Sequence, residues 1–219
     1  MIRPRPYISF SQLTTFEMSK DKFTEQYLYG KKQRISRNMH YGSLMADGLK
    51  DEEATGDPVL DLMMSKIPKF ERMDMPVVDI KNGVDVVNPH DGKKYKVPIL
   101  TNDNDPIPLL ALPDTSKSDY SAFKEYKTSV QKWTQKRVDD SGQITFYVTA
   151  IWIVTGKIPQ DIELVNIEVD YDQDGRLFPT GNMYQFKTKR SLVDVIKMTK
   201  RIRHAWSGIK ELSEKELLI

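Results

Sequence analysis

At 219 residues with 39% hydrophobic content, the chain has room and material for one sizeable core. It has no cysteine, which excludes disulfides, Cys-ligated zinc and Cys-bound iron–sulfur clusters. The net charge of +2 is nearly balanced, so any affinity for nucleic acid must come from local patches. No apolar run approaches the roughly 18 residues of a membrane span. The opening MIRPRPYISF lacks the apolar stretch of a secretory signal. A reducing cell interior is therefore the expected setting.

The first helix is expected over residues 8–16. Ser9-x-x-Gln12 is a capping-box pattern, and Leu13 and Phe16 follow at helical spacing. A second helix over 20–29 places Phe23 and Tyr27 four apart, with Gly30 as its stop. Residues 31–37 form a basic loop containing Lys31, Lys32 and Arg34, either a solvated connection or a phosphate-contacting edge. A third helix over 37–53 lines Met39, Gly42, Met45, Ala46 and Leu49 along one face. Residues 54–58 break the pattern. A short helix over 59–67 follows, whose Leu60, Met63, Met64 and Ile67 stripe reads as core. Over 68–108, β-like runs alternate with turns: a hairpin over 76–87 around Asn82-Gly83, a turn at Pro89-His-Asp-Gly92 and a strand over 95–100. The polar loop 101–106 lacks the glycine and bidentate glutamate of a calcium loop.

The run 109–112 ends in Pro113-Asp114, and a strand over 121–128 carries Glu125-Tyr126-Lys127. The strand period of two puts Glu125 and Lys127 on one face. An acid at one strand end beside an acid-x-lysine brings two carboxylates and an ammonium to a point. That set suits a hard cation such as Mg²⁺, with the lysine placed to act on the attacking water. The triplet alone is a weak signal, since Asp79-Ile-Lys81 and Asp91-Gly-Lys93 repeat it.

Residues 129–140 are polar. Trp133 lies among Lys132, Lys136 and Arg137, a combination that meets a nucleic-acid strand or packs on its own domain. Residues 141–156 are rich in β-branched side chains, but the length favours a helix capped by Ser141 and ended by Gly156. As a helix it sets Gln143 and Tyr147 on one face. Strands are expected over 162–171 and 183–188, with a turn at 172–176. An amphipathic helix follows over 191–210, with Leu192, Val195, Ile196, Ile202, Trp206 and Ile209 as its apolar face. Lys197, Lys200, Arg201 and His204 form a basic stripe along it, a phosphate track or a solvated face. The tail 211–219 reads as frayed. No glycine-rich P-loop occurs, which argues against ATP hydrolysis.

Pro113-Asp114, Glu125-x-Lys127 and Gln143-x-x-x-Tyr147, in that order, resemble the PD-(D/E)xK nuclease superfamily in its RecB-like and phage-exonuclease-like branch. The resemblance runs over residues 7–150 in motif order and is tight over 113–147. It implies an α/β fold with a restriction-endonuclease-like core, a central mixed β-sheet flanked by helices. Residues 1–219 would be one such domain: a helical wall over 1–53, a sheet-bearing core over 68–188 and a C-terminal helix over 191–210.

By the same resemblance the chain is a Mg²⁺- or Mn²⁺-dependent deoxyribonuclease acting on DNA. It would be an exonuclease or end-processing enzyme of recombination or phage DNA metabolism, in the cytoplasm of a prokaryotic or phage-infected cell. Asp114, Glu125 and the Tyr126 backbone carbonyl would hold the metal. Lys127 would position the water, Gln143 would orient that water or Lys127, and Tyr147 would brace the site or contact phosphate. RecB-like members carry Gly-x-x-x-His where this chain has Gly42-Ser-Leu-Met-Ala46, so the histidine is missing and Glu53 is the candidate for a further metal ligand. That departure keeps a non-catalytic DNA-binding or structural subunit open, and a site-specific endonuclease is a third reading. Phage exonucleases of this superfamily form rings, so a homo-oligomer or a recombination or replication partner protein is open as well.

Overall fold

The computed structural model describes residues 5–31, 42–43, 54–66, 83–89, 92–101 and 105–217. The expected third helix lies outside them except for residues 42 and 43, which are helical, and so do Lys32, Arg34 and Glu53. Gly42 approaches the end of a central strand: a Cβ there would stand 3.4 Å from Thr128 Oγ1.

Strand β1 (Ile8–Ser9) runs directly into helix α1 (Phe10–Met18). The capping box forms as its sequence implies: the Gln12 N–H donates to Ser9 Oγ at 3.4 Å and the Ser9 N–H to Gln12 Oε1 at 2.8 Å. Ser19 caps α2 (Lys20–Phe23), which widens into a π-helical turn over Thr24–Leu28; Gly30 closes it at φ 66°. In α3 (Pro58–Ser65), Asp57 caps the first turn, and Leu60, Met63 and Met64 are buried against Tyr126, Val165 and Ile167. The methionine stripe is core.

Strands β2 (Val84–Val87) and β3 (Lys94–Val97) pair antiparallel through the turn at Asn88–Lys93, where the Gly92 N–H donates to the Asn88 carbonyl at 2.8 Å. The described hairpin thus turns at Pro89–Gly92, whereas the first arm expected before Asn82-Gly83 falls outside the described residues. Pro98 has no N–H to give a ladder, so the run expected over 95–100 splits. Strand β4 (Ile99–Leu100) pairs instead with β5 (Ile107–Leu110), whose other edge takes β1 in parallel. The four-stranded mixed sheet has the order β6 (Thr115–Ser116), β7 (Ala122–Ser129), β8 (Asp161–Tyr171), β9 (Leu177–Thr188). β7 and β8 are parallel, and the crossover between them carries α4 (Gln135–Asp139) and α5 (Gly142–Thr155). The architecture is mixed α/β with helices against the sheets, as expected. The described strands form three sheets rather than one. Among the described residues no helix is long and apolar enough to cross a membrane.

Helix α5 settles a local conflict. Its β-branched residues suit a strand, but Ser141 caps it and Gly156 ends it in the left-handed region at φ 69°. It is apolar nearly all round because it is a buried helix, with Ile144, Phe146, Val148 and Ile151 in the main core. Helix α6 (Leu192–Leu217) corrects two expectations. It runs through the segment expected to fray, with Ser213 Oγ donating to the Ile209 carbonyl and Tyr29 hydrogen-bonding Glu216. Leu192 and Ile196, assigned to its apolar face, are exposed, while Met198 and Ala205 are buried with Val195, Ile202 and Ile209. The buried stripe starts at Val195 in the first turn, and Leu192 and Ile196 lie to one side of it.

Two contacts fix how these helices sit. Arg190, just past β9, is buried and donates to Thr145 Oγ1, Thr188 Oγ1 and the Lys189, Val138 and Ser141 carbonyls at 2.7–3.2 Å. It ties α4, the start of α5 and β9 together. Arg190→Leu leaves these acceptors without their donor and is expected to cost about 3 kcal/mol in urea unfolding. A loss under about 0.5 kcal/mol, the level of an ordinary surface change, would show that water replaces the network. At Gly208 of α6, an added Cβ would stand 2.6 Å from Phe16 Cζ. Gly208→Ala gains about 1 kcal/mol of helix propensity but forces α1 and α6 apart at about 1–3 kcal/mol. Net destabilisation is expected, read as a lower thermal midpoint; a raised midpoint would mean the ring moves without cost.

Candidate active site

β6 is short, and its ladder with β7 ends at Thr115↔Lys124. At the next edge position of β7 the Tyr126 N–H is taken by Asp114, whose Oδ2 accepts it at 2.7 Å. The pleat of β7 sends alternate side chains to opposite faces. Lys124 and Tyr126 point away from α5: Lys124 pairs with Glu163 at 3.0 Å and Tyr126 packs under α3. Phe123, Glu125 and Lys127 share the other face, where the Phe123 ring meets Tyr147 edge-on at 6.0 Å.

Glu125 is 2% exposed. Its Oε1 accepts from Lys127 Nζ at 2.5 Å, and its Oε2 is buried with no hydrogen-bond partner among the described residues. Burial, then the neighbouring Asp114 charge, pushes the Glu125 carboxyl up to about 8 against the pull of Lys127. Asp114 is pushed upward too, by burial, with Lys127 and the Tyr126 N–H opposing. Its side chain is nonetheless exposed at the mouth of the site, where water screens it. Glu125 is therefore the acid that holds a proton near neutrality. Burial disfavours the Lys127 charge, but Glu125 and Asp114 outweigh it and hold the ammonium above its ordinary pKa.

Behind the acids, Gln143 Nε2 donates to the Tyr147 hydroxyl at 2.7 Å, one turn apart on α5. Burial and then the Glu125 and Asp114 charges raise the Tyr147 pKa well above its usual value. The phenol keeps its proton and, accepting from Gln143, has its O–H to donate. Gln143 and Tyr147 also line a pocket of about 360 Å³ with Arg5, Ser9, Ser11 and Leu112. Asp114, Glu125 and Lys127 thus converge, Tyr147 lies within reach of both acid charges, and Gln143 joins them through Tyr147.

Of the described residues considered for nucleic-acid contact, Trp133, Lys136 and Arg137 line one concavity of about 510 Å³. Lys31 pairs with Glu25 at 2.7 Å and Lys136 with Asp140 at 2.8 Å. Lys132 sits over the Tyr184 ring at 4.5 Å. Arg137 stacks on Trp133 at 4.0 Å, and Trp133 is half-buried against the main core. Arg201 forms a two-pronged pair with Glu17 at 3.0 and 2.6 Å, which ties α6 to α1. Lys197 and Lys200 are exposed. At the turn after β8, Asp172 Oδ1 accepts the Asp174 and Arg176 N–H groups, so this acid shapes its own turn.

No family model matches the chain, and no curated protein matches it by sequence. Among solved structures it is similar to the crystal structure of an alkaline exonuclease from Laribacter hongkongensis, at 11% identity and a TM-score of 0.45, with 96% of this chain and 91% of that chain covered. It is likewise similar to that enzyme in complex with dAMP, at 12% identity, a TM-score of 0.44 and the same coverage of 96% and 91%. At such scores the functional assignment rests on the site's own geometry.

Proposed function

We propose that the chain is a Mg²⁺- or Mn²⁺-dependent deoxyribonuclease that hydrolyses phosphodiester bonds, an exonuclease or end-processing enzyme. The observation that carries this reading is the Glu125 carboxyl: buried, one oxygen on Lys127, the other with no donor among the described residues and set against the Asp114 carboxyl. Burying like charges together is costly unless a cation or a proton joins them. Among the described residues no group of three or more His, Asp or Glu is placed to hold a metal ion. Two carboxylates with room for water fit Mg²⁺ or Mn²⁺ and do not fit an all-protein cage.

Asp114 and Glu125 would hold the ion. The Tyr126 carbonyl points to the same strand edge as its N–H, which faces Asp114, and is the third donor. When bound, the ion supplies a nucleophile at neutral pH and neutralises charge at phosphorus. Lys127 positions the attacking water and stabilises the anionic transition state as a compact point charge. Gln143 holds Tyr147, whose O–H faces the substrate phosphate or the acids. Water adds to phosphorus as the bond to the 3′ oxygen breaks and that oxygen takes a proton, leaving 5′-phosphate and 3′-hydroxyl ends.

The test is cleavage of end-labelled linear duplex and of covalently closed circular DNA with Mg²⁺, Mn²⁺ or EDTA. Metal-dependent loss of the linear substrate alone is expected. Cleavage of the closed circle would make the enzyme an endonuclease. DNA binding without cleavage under any metal would make the chain a binding subunit.

A further inference from the structure

Asn166 of β8 is the register partner of Lys127 on β7 and of Tyr184 on β9. Its face is fixed by its neighbours. Ile162 and Leu164 share the main core with Phe123, whereas Val165 and Ile167 point into the cluster under α3. The Asn166 amide therefore stands beside Lys127 on the face that bears Glu125. It is fully buried, at 0% exposure.

One orientation of this amide leaves the hydrogen bonding open. Ser129 Oγ lies 2.6 Å from the Gln131 carbonyl and 2.9 Å from Asn166 Oδ1. A hydroxyl has a single proton, and the closer carbonyl takes it. Asn166 Nδ2, with two donors, is then buried without a partner among the described residues. A half-turn of the amide exchanges O and N at no change of volume. Nδ2 then donates to Ser129 Oγ, Ser129 donates to Gln131, and Oδ1 becomes an acceptor on the inner side of the row. Lys127, the register partner on β7, has three donors, one of them on Glu125 Oε1, and Lys132 lies on the β9 side over Tyr184.

We propose that Asn166 is a positioning residue for Lys127: anchored by Ser129, its amide oxygen receives the Lys127 ammonium when a divalent cation draws Glu125 away from it. This rests on the reading of Asp114 and Glu125 as a cation site. Glu125 accepts from the ammonium at 2.5 Å beside the Asp114 charge, and the Lys127 side chain is 29% exposed. Once Glu125 serves the cation, a second acceptor is needed to keep Lys127 at the reaction centre rather than in solvent.

The test compares wild type, Asn166→Leu, Asn166→Asp and Ser129→Ala in Mn²⁺ binding by calorimetry, in kcat and KM on linear duplex, and in side-chain amide NMR. In wild type, the Asn166 amide protons are expected to show cross-relaxation with the Ser129 β protons. Asn166→Leu is expected to bind Mn²⁺ like wild type and lose about 10- to 100-fold in kcat, the usual scale for a supporting group, with KM unchanged. Asn166→Asp keeps an oxygen toward Lys127 but loses the donor to Ser129, and recovers part of that loss. Ser129→Ala, at a half-exposed position where folding is not at stake, gives a smaller loss in kcat and decides the matter if the leucine variant fails to fold. Wild-type turnover in Asn166→Leu, equal losses in the leucine and aspartate variants, or no change in Ser129→Ala would overturn the proposal alone. A wild-type chain that binds no Mn²⁺ would overturn the cation site and this proposal together.

Discussion

Lys127→Ala is expected to lower metal-dependent cleavage about 10²- to 10³-fold, or ~3–4 kcal/mol of transition-state stabilisation. Mn²⁺ binding and the thermal midpoint should stay near wild type. The ammonium is no metal ligand on this reading, so its loss falls on the chemical step. Nor should the fold suffer near neutral pH. Glu125, already raised to about 8 with Lys127 present, simply keeps its proton when that counter-charge is removed. Lys127→Arg is not expected to rescue activity, because a planar fork cannot replace a compact charge packed against Glu125. Single-turnover cleavage of labelled duplex at saturating Mn²⁺ reads the effect. Unchanged turnover would take the reaction away from β7 altogether.

Glu125 with Lys127, and Gln143 with Tyr147, were legible as pairs because a period of two along β7 and one turn of α5 are local geometry. That the two pairs and Asp114 belong together came only from the resemblance in motif order, since the acid-x-lysine triplet recurs at Asp79-Ile-Lys81 and Asp91-Gly-Lys93. The nature of α5 was legible locally too: Ser141 and Gly156 are end signals that outweigh the β-branched content between them. Asn166 was not legible. In the run Leu164-Val-Asn-Ile-Glu168 it reads as one polar position in a strand. It stands beside Lys127 only through the parallel register of β7 with β8, which the crossover through α4 and α5 sets. Arg190 was hidden in the same way, since its acceptors lie on elements far away in sequence. The C-terminal tail was misread because Tyr29 and Glu216 meet only in the folded chain. On α6, spacing ranked Leu192 and Ile196 with Val195, but the stripe that packs runs through Val195, Met198, Ile202, Ala205 and Ile209 and leaves both to one side.

The stability of the metal-free protein is expected to fall as pH rises, and divalent metal is expected to reverse this. The sign follows from Glu125. Its folded pKa of about 8 lies above its ordinary 4.5, so the folded state favours the protonated form. The associated stability is complete below about pH 4.5 and is lost as pH rises through about 8, a change on the order of 5 kcal/mol at 1.36 kcal/mol per unit. Asp114 shifts in the same direction and adds less, being open to water. Glu125→Gln removes the titration while keeping the shape, so in EDTA the variant should lose less stability than wild type between pH 5 and 9. Other groups titrate in that window, and the difference between the two proteins isolates this one. Metal competes with the proton for the same oxygens, so Mg²⁺ or Mn²⁺ should raise the wild-type midpoint more at pH 8.5 than at pH 6. Glu125→Gln should respond little at either pH and cleave nothing. Parallel pH profiles of wild type and variant in EDTA would mean that water reaches Glu125 and that its carboxylate carries no stored penalty. An equal metal response from the two would place the ion elsewhere. A destabilised acid pair rescued by metal is what separates a cation site from a surface salt bridge, because a salt bridge that lowered the Glu125 pKa would gain its stability below about pH 4.5 and stay level over the range in which this site loses it.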